Sequence, residues 1–198
     1  MHHQNNIISG NHLKTGLKKD FDKKEFTTGA SGSRMICWYL INLLFFRSGL
    51  VPFSNILVLI LRIFGAKIGK QVRIKPHIYV KYPWKLSIGD YSWLADCYLD
   101  NLAQITIGNH VCISQKAMLI TGNHDYKSTH FDLITKPITI EDGAWICANA
   151  TVTPGVTIKT HAILTTGSVA TQDIEAYTIY QGNPAAPVRG RQIRAQKS

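Results

Sequence analysis

Apolar residues recur every six positions through the second half of the chain. Between Ile140 and Leu164 a branched residue stands at every sixth place, and a small residue or valine follows it four places later. Neither an α-helix, with 3.6 residues per turn, nor a strand, with a period of two, produces this spacing. Repeats of this length are typical of a β-helix, whose stacked coils bury a continuous apolar axis. The repeated residues are Ile140, Ile146, Val152, Ile158 and Leu164, and those four places on are Ala144, Ala150, Val156, Ala162 and Ser168.

The same register extends back to Ile68. Steps of 8, 13 and 21 residues interrupt it, and each equals whole repeats plus an insertion of 2, 1 or 3 residues. The longest interruption separates Leu119 from Ile140, so a loop is predicted there, at about 120–138. At three repeats per coil, residues 67–172 are predicted to form a β-helix of about five to six coils. The earlier register positions are Ile68, Ile74, Val80, Ile88, Leu94, Ile107, Ile113 and Leu119.

Glycines occur at two fixed places in the repeat. One set stands at the second position, and another stands at the fourth, where a tight corner favours a residue that tolerates positive φ. We expect the repeated apolar side chains to point into the β-helix and the small residues to let its corners close. The second-position glycines are Gly69, Gly89 and Gly108, and the fourth-position glycines are Gly143, Gly155 and Gly167.

The first 66 residues lack the repeat and divide into two parts. Residues 1–34 are rich in Lys, Gly, Ser and Thr, which predicts an irregular arm. Residues 35–66 contain two apolar runs, 35–46 and 56–64, which predict two short helices separated near Pro52. Each run is shorter than the roughly 20 residues of a membrane-spanning helix. The two helices either cap the open end of the β-helix or present a face to a membrane surface, and both roles are compatible.

The net charge of the chain bears on which partners it can bind. The chain has 198 residues, with 22 Lys and Arg against 12 Asp and Glu, a formal net charge of +10. This indicates either an anionic partner, such as phosphates, an acidic polymer or a lipid surface, or simply a soluble basic protein. The four cysteines show no C-x-x-C spacing, which favours a thiol-containing cytosolic protein over a disulfide framework. No cleavable signal peptide is evident, and residues 173–198 are expected to leave the β-helix as a short C-terminal extension.

Several stretches match one group of enzymes. The repeat, the segment Thr-Gly-Asn-His-Asp-Tyr at 121–126 and the turn Gly-Asn-Pro at 182–184 together resemble the hexapeptide-repeat acyltransferases. Within that superfamily the chain is most similar to the O-acetyltransferases of exopolysaccharide, colanic-acid-type biosynthesis, and it is also similar to the galactoside and maltose acetyltransferases. The resemblance covers residues 60–190 or so, and the matching stretches are 64–69, 82–86, 113–116, 123–126, 143–146, 154–158 and 182–185.

The resemblance implies an all-β fold, a left-handed parallel β-helix, assembled as a homotrimer with acetyl-CoA in grooves between neighbouring subunits. The hand rests on the resemblance alone, because crossovers between parallel strands are right-handed in most folds. The implied activity is transfer of an acetyl group from acetyl-CoA to a saccharide hydroxyl in exopolysaccharide biosynthesis. Two alternatives stay open: a non-catalytic β-helix scaffold or membrane-associated binding module, and an acetyltransferase for another acceptor, such as an antibiotic or an amino sugar.

His124 is the predicted catalytic residue. It lies in the longest interruption of the repeat, and it corresponds to the catalytic histidine of the family that the chain resembles. A sugar hydroxyl is a poor nucleophile until its proton is removed as it attacks the thioester. An imidazole, whose ordinary pKa is about 6.5, suits that proton transfer at neutral pH. We therefore predict that His124 is the general base.

The second ring nitrogen of a catalytic histidine needs a partner that orients it. Asn123, Asp125 and the backbone are the local candidates, and the sequence does not choose among them. Asp96, Asp100 and Asn101 stand one or two coils earlier, in the region where polar groups of the galactoside relatives bind the acceptor sugar. They are therefore candidates for acceptor binding.

Candidates for acetyl-CoA binding also follow from the resemblance. Trp145 is expected to pack on the pantetheine arm. Ala148 stands where galactoside-type relatives carry a serine, so a backbone N–H is the expected oxyanion donor at this rung. Gln172 replaces a lysine that is frequent in the family, and Cys147 and Thr165 stand where glycine is frequent. The remaining candidates along the cofactor are Thr166, Thr171 and Arg189.

No metal cofactor is expected. His124 and His130 share a loop, and one carbonic-anhydrase class binds zinc through three histidines in the same kind of β-helix. The spacing of these residues from His110 does not fit that class. We also expect no nucleic-acid partner, and a cytoplasmic location that includes peripheral contact with the inner face of the membrane through residues 35–64.

Overall fold

The structure, a computed structural model, describes residues 14–17 and 26–194. It is a parallel β-helix of about six coils with two helices at its N-terminal end. The hexapeptide repeat therefore predicted the fold class correctly. Most of the predicted arm at 1–34, and the last four residues of the predicted extension at 173–198, lie outside the described residues.

Each of the first five coils contributes one short strand to each of three sheets, always in the same order, and the last coil adds a strand to the second sheet only. The first sheet contains β1 (Lys67–Ile68), β4 (Leu86–Ile88), β7 (Ile105–Ile107), β12 (Ile138–Ile140) and β15 (Thr157–Ile158). The second contains β2 (Arg73–Ile74), β5 (Trp93–Leu94), β8 (Cys112–Ile113), β13 (Trp145–Ile146), β16 (Ile163–Leu164), β18 (Thr178–Gly182) and β19 (Ala185–Gly190). The third contains β3 (Tyr79–Val80), β6 (Tyr98–Asp100), β9 (Met118–Ile120), β14 (Thr151–Val152) and β17 (Val169–Ala170).

The repeated apolar positions form the core, as predicted. In the second sheet Leu94, Ile113, Ile146 and Leu164 are in register one coil apart, and none is more than 1% exposed. Full burial of one such side chain stabilises the fold by roughly 1.5–3 kcal/mol. Equivalent columns in the other two sheets make the interior continuous from the first coil to the last.

The second coil departs from six-residue spacing. Counting six residues from Leu94 reaches Asp100, but the structure buries Leu99 instead and pairs it with Val80 and Leu119. Asp100 consequently faces outward, where Lys81 Nζ lies 2.9 Å from its carboxylate. Burying an unpaired carboxylate would cost far more than shortening one rung by a residue. The order of an apolar and a charged residue, Leu99 and Asp100, therefore decides which residue of this coil enters the core.

The two sets of glycines serve different needs. The fourth-position glycines have φ between +68° and +88°, as predicted for tight corners. His110 and His161 occupy the same position in the same conformation, so glycine is favoured there and not obligatory. At the second position the requirement is space, because a Cβ on Gly89 would lie 2.6 Å from the carbonyl carbon of Gly108 in the next coil. Successive coils can approach closely only because both residues lack a side chain.

Two helical segments precede the first coil, in agreement with the apolar runs. Helix α1 (Gly32–Ile41) continues into a π-helical turn (Asn42–Arg47), and helix α2 (Ser54–Ile63) follows after an irregular link. Helix α1 begins three residues before the predicted boundary at 35, because Ser31 caps it by accepting a hydrogen bond from the Arg34 amide. A short 3-10 turn (Pro83–Lys85) lies later in the chain, at the corner where the first coil passes from the third sheet to the first sheet of the next coil.

These helices close the open end of the β-helix. Phe46, Leu57 and Leu61 are fully buried against the first coil, and the indole N–H of Trp38 donates to the Val80 carbonyl at 3.0 Å. The predicted capping role is therefore observed. Among the residues described, no helix combines the length and the apolar character that crossing a membrane requires.

The predicted boundary at residue 173 was wrong. Strand β18 continues the second sheet in parallel with β16, and Ile174 forms an isolated parallel bridge with Ile158. Ile174 and Tyr180 are buried and extend the core by a further rung. The chain leaves the β-helix only after Gly182, where it turns through a cis Asn183–Pro184 bond into β19.

Candidate active site

The longest interruption of the repeat forms a β-hairpin. Strands β10 (Gly122–His124) and β11 (Leu133–Thr135) pair antiparallel, with His124 opposite Leu133. The hairpin leaves the β-helix between the third and first sheets, at what we call the third–first edge. Gly122 lies at its base, where an added Cβ would require the end of the Leu102 side chain to move. The hairpin holds the imidazole of His124 outside the core, where it is exposed.

A backbone carbonyl orients the imidazole of His124. Its Nδ1 lies 2.7 Å from the carbonyl oxygen of Phe131, and a carbonyl can only accept. In the neutral ring the proton is therefore on Nδ1 and the basic lone pair is on Nε2. Phe131 itself adopts φ of +54°, an unfavourable conformation for a bulky residue that surrounding structure must enforce. The Phe131 carbonyl is thus a described partner of Nδ1, in addition to the two side-chain candidates that the sequence offered.

Asn123 and Asp125 instead stabilise the loop. The Asn123 side-chain oxygen accepts from the amide of His124 at 2.8 Å, and that of Asp125 accepts from the amide of Lys127 at 3.0 Å. The hydroxyl of Ser128 donates to Asp132 at 2.7 Å, which closes the turn. Both predicted orienting residues thus act on the backbone that carries the histidine.

The loop also contacts a described piece of the N-terminal arm. The amide of Gly16 donates to the carbonyl of Thr129 at 2.8 Å, and Nδ1 of His130 lies 3.0 Å from the carbonyl oxygen of Gly16. His130 is therefore tied to the arm, while His124 is tied to its own hairpin. The two histidines of this loop have different surroundings.

The acceptor candidates differ in what they can offer a ligand. Asp96 pairs with Lys116 at 2.6 Å, and Asp100 pairs with Lys81. Asn101 is fully buried and bonded through both side-chain atoms to the backbone around Tyr82, Lys81 and Lys85. Asn101 consequently supports the third–first edge, and its buried side chain presents no surface to an acceptor.

The cofactor candidates fall into two groups. Ala148 and Thr166 lie one coil apart between the second and third sheets, at the second–third edge, and the amide of Gly167 donates to the carbonyl of Ala148 at 3.0 Å. Thr171 and Gln172 are exposed at the third–first edge, two coils beyond His124.

One chain therefore does not bring the predicted site together. His124 projects from the third–first edge, whereas Trp145 lies on the second sheet and Ala148 on the second–third edge. The whole third sheet separates these edges. An active site that uses both groups requires a second copy of the chain to supply one of them.

Trp145 has a neighbour that sequence reasoning missed. The indole N–H donates to the hydroxyl of Ser114 at 2.9 Å, which fixes the ring across two coils, and the ring remains 42% exposed. Trp93, two coils earlier in the same column, is also exposed. The repeat register could have placed Trp93 and Trp145 in one column, because each immediately precedes a core residue of the second sheet.

Two cysteines beside Trp145 are poor nucleophiles. Burial, and to a smaller extent the neighbouring Cys112, raises the pKa of Cys147 to about 11. Burial also raises the pKa of Cys112. A thiol with a raised pKa stays protonated at neutral pH, and the thiolate is the reactive form. The site therefore favours chemistry without a cysteinyl intermediate.

The C-terminal arginines have separate roles. Arg191 donates to the carbonyls of Gly143 and His161, at 2.8 and 3.0 Å, and thereby holds the tail against the β-helix. Arg189 is exposed on β19 and remains a candidate for a phosphate of CoA. Among the residues that the structure describes, no group of three or more His, Cys, Asp or Glu side chains is placed to hold a metal ion.

Comparisons with known proteins agree with this architecture. A protein of Escherichia coli K12 named as a colanic acid biosynthesis acetyltransferase, WcaF, is 44% identical over 133 residues, 67% of this chain and 73% of that protein. The galactoside O-acetyltransferase of the same organism is 29% identical over 129 residues, 63% of each chain. The crystal structure of a hexapeptide-repeat acetyltransferase from Vibrio cholerae with acetyl-CoA superimposes with a TM-score of 0.77 at 23% identity, covering 87% of this chain and 96% of that one. No family model matches the chain.

Proposed function

The chain belongs to the hexapeptide-repeat acetyltransferases, and from that premise we propose that it moves an acetyl group from acetyl-CoA to a sugar hydroxyl in exopolysaccharide biosynthesis. The observation that carries this proposal is the imidazole of His124, held on a projecting hairpin with its Nδ1 bonded to the Phe131 carbonyl. A neutral imidazole in that tautomer has its basic nitrogen directed away from its support. Nε2 is therefore the ring atom through which the proposed general base would act.

The reaction we propose is a direct attack. Nε2 of His124 takes the hydroxyl proton while the hydroxyl oxygen bonds to the thioester carbonyl carbon. The carbon–sulfur bond then breaks, the acetyl ester leaves with the sugar, and the CoA thiolate recovers the proton from the imidazolium. General-base assistance of this kind contributes about 10²–10⁴-fold to the rate.

The developing oxyanion needs a hydrogen-bond donor, which is worth about 3–4 kcal/mol in the transition state. We propose the amide of Ala148. Its neighbours Cys147 and Asn149 donate to the carbonyls of Leu164 and Gln115, whereas the Ala148 amide has no acceptor within the described part of the chain. An amide at a half-buried corner is available to a ligand without breaking the β-helix.

We further propose a homotrimer in which the hairpin of one subunit meets the second–third edge of the next. The separation of His124 and Ala148 on different edges supports a contribution from a second subunit, because neither group alone can bind the thioester and remove the proton, and the number of three subunits is the one that the resemblance implies. Trp145 would then pack against the pantetheine arm, and Thr166, Thr171, Gln172 and Arg189 would lie along the rest of the cofactor. We propose a cytoplasmic location, with peripheral membrane contact through residues 35–64.

A radiolabelled acceptor panel tests this function. The full chain is incubated with [¹⁴C]acetyl-CoA and free sugars, nucleotide sugars, amino sugars, oligosaccharides and lipid-linked saccharides. Transfer of label to a neutral sugar in an alkali-labile bond is expected, because esters are cleaved by mild base. Label that resists base identifies an amide and an amino-sugar acceptor instead. Calorimetry with CoA at millimolar concentration, showing no heat of binding, would indicate a non-catalytic module.

A further inference from the structure

A large apolar face remains uncovered at the N-terminal end of the β-helix. Ten large apolar side chains within residues 36–63 are between 42% and 79% exposed, although the same segments bury Phe46, Leu57 and Leu61 completely on their other side. Soluble proteins rarely leave so many apolar side chains together in water unless the surface binds something. We call this set the N-terminal face: Ile36, Tyr39, Leu40, Leu43, Leu44, Leu50, Phe53, Ile56, Leu59 and Ile63.

Basic residues predominate around the N-terminal face. Residues 27–89 contain nine Lys and Arg and no Asp or Glu. Several of these cations are exposed, and within the part of the chain that the structure describes they form no ion pair: Arg47, Lys67, Lys70, Arg73 and Lys75. Each unneutralised cation close to an anionic membrane contributes about 1 kcal/mol of attraction.

Aromatic and cationic side chains meet at the margin of the face. A cavity of about 270 Å³ lies between α1, the π-helical turn and the first coil, and Tyr39, Arg47, Tyr79 and Lys81 contribute to its lining. Tyr and Trp prefer the boundary between hydrocarbon and water, because one end of each ring is apolar and the other is polar. This margin therefore has the composition of an interfacial anchor.

We infer that the N-terminal face docks on an anionic phospholipid surface, inserting its apolar side chains while the surrounding cations contact the lipid phosphates. The inference rests on the proposed membrane contact and deepens it by naming the lipid class and the inserted residues. It does not depend on acetyl transfer. A second copy of the same face is a poorer occupant, because it would bring two predominantly basic surfaces together. An interfacial protein of this kind buries its apolar face about 5–10 Å deep.

Co-sedimentation with sucrose-loaded vesicles tests the inference. The full chain should bind vesicles that contain 30% phosphatidylglycerol at least about tenfold more strongly than pure phosphatidylcholine, and 0.5 M NaCl should remove most of that preference. The double variant Leu44→Gln/Phe53→Ser should lose at least about tenfold in binding. Its fold should survive, because Leu44 is exposed and serine at position 53 is a favoured cap for α2. The variant Lys70→Gln/Lys75→Gln should lose the preference for phosphatidylglycerol.

A matched control lies at the other end of the second sheet. Ile193→Gln/Arg194→Gln removes one exposed apolar side chain and one exposed cation, one of each kind changed in the two test variants, and it should bind vesicles like the unchanged chain. Equal loss in this control, or no preference for phosphatidylglycerol in the unchanged chain, overturns the inference. Sedimentation velocity without lipid tests the alternative of a contact between copies. An assembly larger than a trimer that becomes smaller in the Leu44→Gln/Phe53→Ser variant would show such a contact and would also overturn the inference. Acetyl transfer in vesicle-free solution is measured beside each variant, so failure of docking is distinguishable from failure of catalysis.

A fluorophore on Cys37 gives an independent readout of insertion. Cys37 is exposed on α1 between Ile36 and Trp38, whereas Cys97 and Cys147 are buried and Cys112, which is partly buried, is replaced by alanine for this measurement. A polarity-sensitive label at this thiol should shift to shorter emission wavelength with phosphatidylglycerol vesicles and should be quenched by lipids brominated in their acyl chains. Emission that stays at its aqueous wavelength in vesicle-bound protein would exclude insertion through α1.

Discussion

The imidazole of His124 is held by the carbonyl oxygen of Phe131, seven residues further along the chain and 2.7 Å from Nδ1. Many catalytic histidines are oriented by a carboxylate, and Asp125 stands beside this one in the sequence. Here that carboxylate accepts from the amide of Lys127 and shapes the loop. The distinction has consequences for which substitutions the site tolerates.

Asp125→Asn should therefore be mild. Asparagine retains the side-chain oxygen that accepts from the Lys127 amide, so the loop and the Phe131 carbonyl stay in place. We expect turnover within about tenfold of the unchanged chain, measured by acetyl transfer at saturating acetyl-CoA. Loss approaching the roughly 10⁴-fold seen when an orienting carboxylate is removed from a catalytic triad would show that Asp125 supports the ring after all.

The separation of the site over two edges predicts complementation between inactive variants. His124→Ala and Trp145→Ala should each be weak alone, because each removes one half of every site. In a mixed cyclic trimer formed by co-expression, about a quarter of the sites would combine an intact hairpin with an intact second sheet. Activity should recover to about that fraction. Mixtures no more active than the separate variants would place both residues in one subunit's site.

The buried thiols predict that no acetyl-enzyme forms. Because burial raises the pKa of Cys147 to about 11, the thiolate is present only as pH approaches that value. At pH 8 its fraction is about 0.1%. Cys147→Ala should retain turnover within several-fold, and rapid-quench mass spectrometry should find no acetylated protein. An acetyl group that accumulates on Cys147 before product appears would contradict direct attack.

Close packing of successive coils predicts a large cost for one methyl group. Gly89→Ala places a Cβ 2.6 Å from the backbone of Gly108, so the coils must separate. We expect a loss of about 1–3 kcal/mol or more in the free energy of unfolding. Gly32→Ala is the matched control, since nothing lies within 4 Å of its added Cβ and alanine favours a helix. Equal stability of the two variants in denaturant titration would refute the packing argument.

The core positions of the β-helix could be predicted from the sequence, whereas the candidate active site could be predicted only in part. Six-residue spacing identified the core columns, because a side chain that must be apolar at every coil leaves a periodic signal. It misplaced the end of the β-helix, because Ile174 and Tyr180 continue the core outside the six-residue register. The hairpin could be located only as an interruption.

Contacts made through the backbone leave no such signal. The orientation of His124 depends on a carbonyl, which every residue possesses, so no residue type at position 131 announces it. Asn101 shows the opposite difficulty, because an amide suited to binding a sugar is equally suited to satisfying four backbone groups in a tight corner. Only three-dimensional placement separates these roles.

The most direct test of the account compares two histidines of one loop. Radiolabelled acetyl transfer to the acceptor identified in the panel is measured for His124→Ala and for His130→Ala. The ring of His130 is hydrogen-bonded to the arm residue Gly16. His124→Ala should lower turnover by about 10² or more with an unchanged unfolding temperature, while His130→Ala stays within several-fold of the unchanged chain. Near-normal turnover without the His124 imidazole would contradict the central claim.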